Sequence, residues 1–169
     1  MTTVRAPRLL LAWGNDARGD DGLGLLLAQA VRDERPPQAS TADALEVLCA
    51  HQLQVEHVLD LDRREAVLLV DASVAVEATT LVRVAPGAGG DLFSHALTPA
   101  ALLLAFRRVL GTEPPPTWLL ALPARETRLG WPPGPDAART LAEGLARVRH
   151  WRSMSVPRDA ADAPVVSAD

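Results

Sequence analysis

The stretch RLLLAWGNDARGDDGLGLLLAQAVRDE (Arg8–Glu34) sets an acidic turn between two apolar segments. RLLLAW, continuous in apolar residues, predicts a strand buried on both faces, while GLGLLLAQAVRDE carries its apolar residues at helical spacing. Between them Asp16, Asp20 and Asp21 fall within six positions. A strand that hands over directly to a helix is the first half of a βαβ unit. The stretch therefore points to a parallel sheet, with three carboxylates at the carboxyl end of its first strand.

The rest of the chain continues the alternation. RPPQAS stops the first helix, because two prolines cannot extend it. ALEVLC predicts a second strand, QVEHVLDLD a short helix, EAVLLVDAS a third strand and TTLVRVAP a fourth. After the flexible GAGGD comes the helix TPAALLLAFRRVLG, with Thr98 as N-cap, Pro99 at its first position and Gly111 as its stop. TWLLALP supplies another strand and GPDAARTLAEGLARVRHW a final helix. The expected fold is α/β, a three-layer αβα sandwich around a mostly parallel, twisted sheet of about five strands. Residues 1–151 form this domain. From 152 to 169 the periodicity is lost, and a disordered tail is expected.

Composition narrows the function classes. The 169 residues, 48% of them hydrophobic, suffice for one domain with a core and are too few for two. No apolar run reaches the roughly 20 residues of a membrane span, and no signal peptide is legible, so a soluble cytoplasmic protein is expected. The lone Cys49 rules out an internal disulfide framework. A net charge of -4 with no basic run argues against nucleic acid as a partner. The expected state is a monomer. All 17 basic residues are arginine, which removes every mechanism that needs a lysine.

In a parallel sheet, ligands bind where the strands end. That rule selects GNDARGDDG after the first strand, CAHQ after the second and Asp71 at the end of the third, with His95 in FSHALTP ahead of the next helix. Ready-made motifs fail on the opening turn. A phosphate-binding P-loop needs a lysine, and a dinucleotide fingerprint needs G-x-G-x-x-G. An EF-hand wants glycine where Asp21 stands and glutamate where Leu27 stands. A receiver domain would pair the acidic doublet with Asp71 but also needs a lysine. By the strand-end rule, carboxylates and imidazoles converge on one edge of the sheet.

The segments GNDARGDDGLG, LLVDAS and SHALTP together resemble the hydrogenase maturation proteases, over about residues 8 to 150. The resemblance implies an aspartic-type endopeptidase that removes the C-terminal extension of a nickel-loaded NiFe-hydrogenase large-subunit precursor. It implies that Asp21, Asp71 and His95 are the catalytic and metal-contacting residues. It further implies that the nickel arrives with the precursor, which is the partner, and that no organic cofactor is needed. HQLQVEHVLDL resembles the subgroup that serves NAD-linked, bidirectional hydrogenases. The alternative function is a non-catalytic, metal-dependent chaperone of the same precursor. Whether the nickel or a carboxylate activates the water is left open by the sequence. Two departures stand out: Trp13 occupies a position where the family has a small residue, and LPARETRLGW, with Glu126, replaces a Pro-Glu segment.

Plainer roles stand beside these. Asp20, and Asp21 with it, can cap the following helix. Gly14, Gly22 and Gly24 permit a tight turn, and Asn15 holds it through its side chain. Cys49 and His51 share a strand face, yet a cysteine ending an apolar strand is expected to pack rather than react. His51 can instead line a partner cleft. His57 and His150 are expected at the surface, Trp118 in the core and Trp131 in loop packing.

Overall fold

A computed structural model of the chain describes residues 5–34, 44–87 and 97–156. Among them are five strands, β1 (Arg8–Trp13), β2 (Leu45–Ala50), β3 (Ala66–Ser73), β4 (Thr80–Val84) and β5 (Thr117–Pro123). The helices are α1 (Leu23–Asp33), α2 (Val58–Leu61), α3 (Pro99–Leu110) and α4 (Ala137–Ser153). The strands form one sheet in the order β2-β1-β3-β5-β4. β1 pairs in parallel with β2 and β3, β3 pairs in parallel with β5, and β4 is antiparallel to β5.

Alternation along each strand divides the core in two. Leu10 and Ala12 of β1, Leu68 and Val70 of β3, and Leu120 and Leu122 of β5 pack with Leu27 of α1 and Val148 and Trp151 of α4. Leu9, Leu11, Val67 and Leu69 face the other way, onto Val58 and Leu61 of α2 and Leu102, Leu103 and Phe106 of α3. A strand with two buried faces has no polar phase, which is why these segments read as unbroken apolar runs. The α3 limits follow from its ends: the Thr98 hydroxyl accepts the Ala101 N–H at 3.2 Å, and Gly111 closes the helix at φ 69.

The antiparallel β4 has a simple cause. Only residues 74–79 separate β3 from β4, and a parallel return needs a dozen or more residues, so β4 must run back. It nevertheless pairs with β5, which inserts between β3 and β4. On the other side of the sheet, β1 leads through α1 to the outer strand β2, and β3 lies on β1's opposite flank. The carboxyl ends of β1 and β3 thus flank the point where the chain's direction of travel across the sheet reverses, the position at which open α/β sheets leave a crevice.

The domain also runs past the expected end at 151. Arg152 and Ser153 complete α4, Met154 and Val156 pack against the α1/α4 core, and the Arg8 guanidinium donates to the carbonyls of Trp151 (3.1 Å) and Met154 (2.8 Å). The expected tail from 157 to 169 lies outside the described residues. A chain ending at Arg152 should therefore melt below one ending at Val156, by about 5 °C for about 2 kcal/mol of lost packing and hydrogen bonding. Equal midpoints by circular dichroism would show that this contact contributes nothing.

Candidate active site

The β1–α1 turn builds the first wall of the site. Gly14 leaves β1 at φ 150, and a Cβ there would lie 2.0 Å from the Asp21 carbonyl oxygen. Only glycine lets the turn close this tightly. The Asn15 side-chain oxygen accepts the Ala17 N–H at 3.0 Å, and the Asn15 N–H donates to Asp21 Oδ2 at 3.1 Å. Asn15 thus holds the turn with its side chain and aims the Asp21 carboxylate with its backbone. A short 3-10 turn, Gly19–Gly22, carries Asp20 and Asp21 into α1. At Gly24 a Cβ would stand 2.9 Å from the Trp13 carbonyl oxygen and 3.3 Å from that of Val70, so the helix starts pressed onto the ends of β1 and β3.

Asp21 and Asp71 line one cavity of about 560 Å³ at this crevice, together with Trp13, Arg18, His51, Ser73, Val74 and Thr127. Their proximity shows electrostatically. Burial, and then the charge of Asp21, push the Asp71 carboxyl up to about 7, although a backbone N–H at Ala72 opposes the shift. A carboxyl that titrates near neutrality in a cleft is suited to taking up or releasing a proton during a reaction.

His95 lies outside the described residues. Among the described residues no three histidine, cysteine or acidic side chains converge closely enough to hold a metal ion. The cavity thus unites two of the three side chains singled out from the sequence. It also contains His51, which reaches it from the end of β2, as expected of a cleft-lining residue.

Asp20 does something the sequence did not reveal. It makes no helix-capping hydrogen bond. Its carboxylate is buried and accepts backbone N–H groups from Arg125 (2.8 Å), Glu126 (2.9 Å) and Gly134 (2.7 Å). Burial alone would raise its pKa, but the three donors hold it below the ordinary aspartate value. Further backbone bonds join the same segments, from Gly19 N–H to Trp131 O (3.0 Å), Asp20 N–H to Glu126 O (2.6 Å) and Gly130 N–H to Ala17 O (2.7 Å). The two acids of the doublet therefore split their work: Asp20 fastens the β5–α4 loop to the β1–α1 turn, and Asp21 faces the cavity.

The departures from the family pattern also find places. Trp13 is half-buried, lines the cavity and packs toward the α2/α3 face rather than on α1. Glu126 does not line the cavity; its side chain pairs with Arg128, which also stacks over Trp131 at 3.7 Å. Hydrogen bonding from the Arg128 side chain and backbone holds Glu126 down to about 2. Cys49, expected to pack, is exposed, because β2 is the outer strand of the sheet. His57 accepts the Gln54 N–H at 2.9 Å in a short turn, His150 is exposed, and Trp118 is buried against Trp151.

No family model matches the sequence, and no curated protein matches it significantly. The fold is nevertheless shared with solved structures. The hydrogenase-maturating endopeptidase HybD from E. coli matches with a TM-score of 0.63 at 20% identity, over 83% of this chain and 88% of that one. The NiFe hydrogenase maturation protease HycI from Thermococcus kodakarensis KOD1 matches with a TM-score of 0.62 at 18% identity, over 85% and 91%. The hydrogenase 3 maturation protease matches with a TM-score of 0.61 at 19% identity, over 86% and 91%. The α/β architecture is thus that of the hydrogenase maturation proteases, spanning nearly the whole of each chain.

Proposed function

We propose that this protein is an endopeptidase that removes the C-terminal extension of a nickel-loaded NiFe-hydrogenase large-subunit precursor. The observation that carries the proposal is the pairing of Asp21 and Asp71 in one cavity at the reversal point of this fold, with Asp71 titrating near neutral pH. Two carboxylates offer hard oxygen donors to a divalent ion. They do not close a coordination sphere by themselves, which suits contact with a nickel ion that the precursor already holds. In this proposal His95 supplies the third contact, on the strength of the family resemblance alone. The nickel then fixes the scissile segment against the cavity, and the Asp71 carboxyl takes up or returns a proton as water adds to the peptide carbonyl.

The test is the mass of the large subunit in cells with and without the gene. A fixed C-terminal loss that depends on the gene is the expected result, and maturation in its absence overturns the proposal. A bound but uncut precursor would instead identify the non-catalytic chaperone. In purified form the protein should cleave the nickel-loaded precursor and leave the nickel-free one intact over the same interval. Equal cleavage of both would remove nickel from the recognition step.

A further inference from the structure

Among the described residues the cavity lining contains one permanent cation, Arg18. The chain has no lysine, and no other described arginine lines this wall. Arg18 is exposed, and its guanidinium has no hydrogen-bond or ion-pair partner among the described residues, in contrast to Arg64, Arg107, Arg128, Arg139 and Arg149, each paired with a carboxylate. Its charge is not spent on the acids beside it. A guanidinium that shares a cavity with two carboxylates yet pairs with neither keeps its fork of donors available for an anionic or polarised oxygen.

Resting on the endopeptidase reading, we propose that Arg18 binds the oxygen of the scissile carbonyl and then the carboxylate that cleavage leaves on the mature subunit. Hydrolysis adds the oxygen of water to the carbonyl carbon and breaks the C–N bond. The mature subunit keeps a carboxylate, and both water protons end on the departing nitrogen as an ammonium group. Negative charge therefore builds on the carbonyl oxygen inside a cavity that already holds Asp21 and Asp71. Without a cation this charge is repelled as it forms, and with Arg18 it is met by donors whose charge is fixed at any working pH.

Arg18→Gln keeps a polar side chain, removes the charge and touches no intramolecular bond of the guanidinium, so the thermal midpoint should stay at the wild-type value. Processing of the nickel-loaded precursor should fall about 100-fold in kcat with little change in KM, the size found when one oxyanion donor is removed. Arg18→Lys should recover part of the loss. A second readout needs no turnover: a synthetic peptide ending at the mapped cleavage position should bind the wild type at least about 10-fold more tightly as the free carboxylate than as the carboxamide. Arg18→Gln should bind the two forms equally. Wild-type cleavage with an equally fast Arg18→Gln variant would overturn the role of Arg18 and leave the endopeptidase reading standing, as would a carboxylate preference that survives in the variant. A wild type that never cleaves the precursor would overturn both.

Discussion

Asp20→Ala is expected to lower the free energy of unfolding by about 3 kcal/mol, as three backbone donors lose a buried charged acceptor. The variant should melt about 10 °C below the wild type, since a domain of this size shifts by a few degrees per kcal/mol. Processing should fall with it although Asp20 does not line the cavity, because the loop it fastens supplies Ala124 and Thr127 to the wall and Asp21 is the next residue. Asp20→Asn keeps the shape and one acceptor oxygen and should fall between the two. The pH dependence has a definite sign. A carboxyl held below its unfolded value stabilises the fold above that value, and the contribution is lost as acid protonates it, here below about pH 4. The gap between wild type and Asp20→Ala should therefore be widest near neutral pH and narrow in acid. An alanine variant that melts like the wild type would show that the loop is held by its backbone bonds alone.

The contrast between Asp20 and Asp21 shows where sequence reasoning works and where it stops. β1 and β5 were legible to the residue, because a strand buried on both faces leaves an unbroken apolar run bounded by polar turns. Thr98 and Gly111 marked the ends of α3 by local chemistry. The cavity position of Asp21 and Asp71 followed from the rule that ligands gather at strand ends. The sequence suggests a helix cap for Asp20 because capping partners are local, whereas its partners in the fold lie more than a hundred residues away in the chain. The same limit hid the insertion of β5 between β3 and β4, which depends on how the α3 crossover returns rather than on any residue within the strands. The exposure of Cys49 is hidden for a related reason: an apolar strand does not announce that it will be the outermost one. The packing of Met154 and Val156 beyond α4 is not legible in the sequence, because two isolated apolar residues are too few to show a period.

Asp71→Asn should abolish processing and yet make the protein more stable at alkaline pH. The side chain keeps its shape, so the cavity stays formed, but in the proposed reaction the amide can neither offer a charged oxygen to the precursor's nickel nor carry the proton. The stability effect follows from linkage. Asp71 titrates near 7 in the folded protein and near 4 when unfolded, so between those values the folded state holds the extra proton, and stability falls as pH rises. The full effect is present below about pH 4 and is lost above about pH 7. A shift of this size corresponds to at most about 4 kcal/mol, and water in the open cavity screens it to about half of that. Asn titrates nowhere in this range. The variant and the wild type, both free of precursor, should therefore melt alike near pH 4, while at pH 8 the variant should be more stable by about 2 kcal/mol, or roughly 5 °C. Melting curves that stay parallel from pH 4 to 8 would show that Asp71 ionises freely, and would remove the proton-carrying role that its burial beside Asp21 supports.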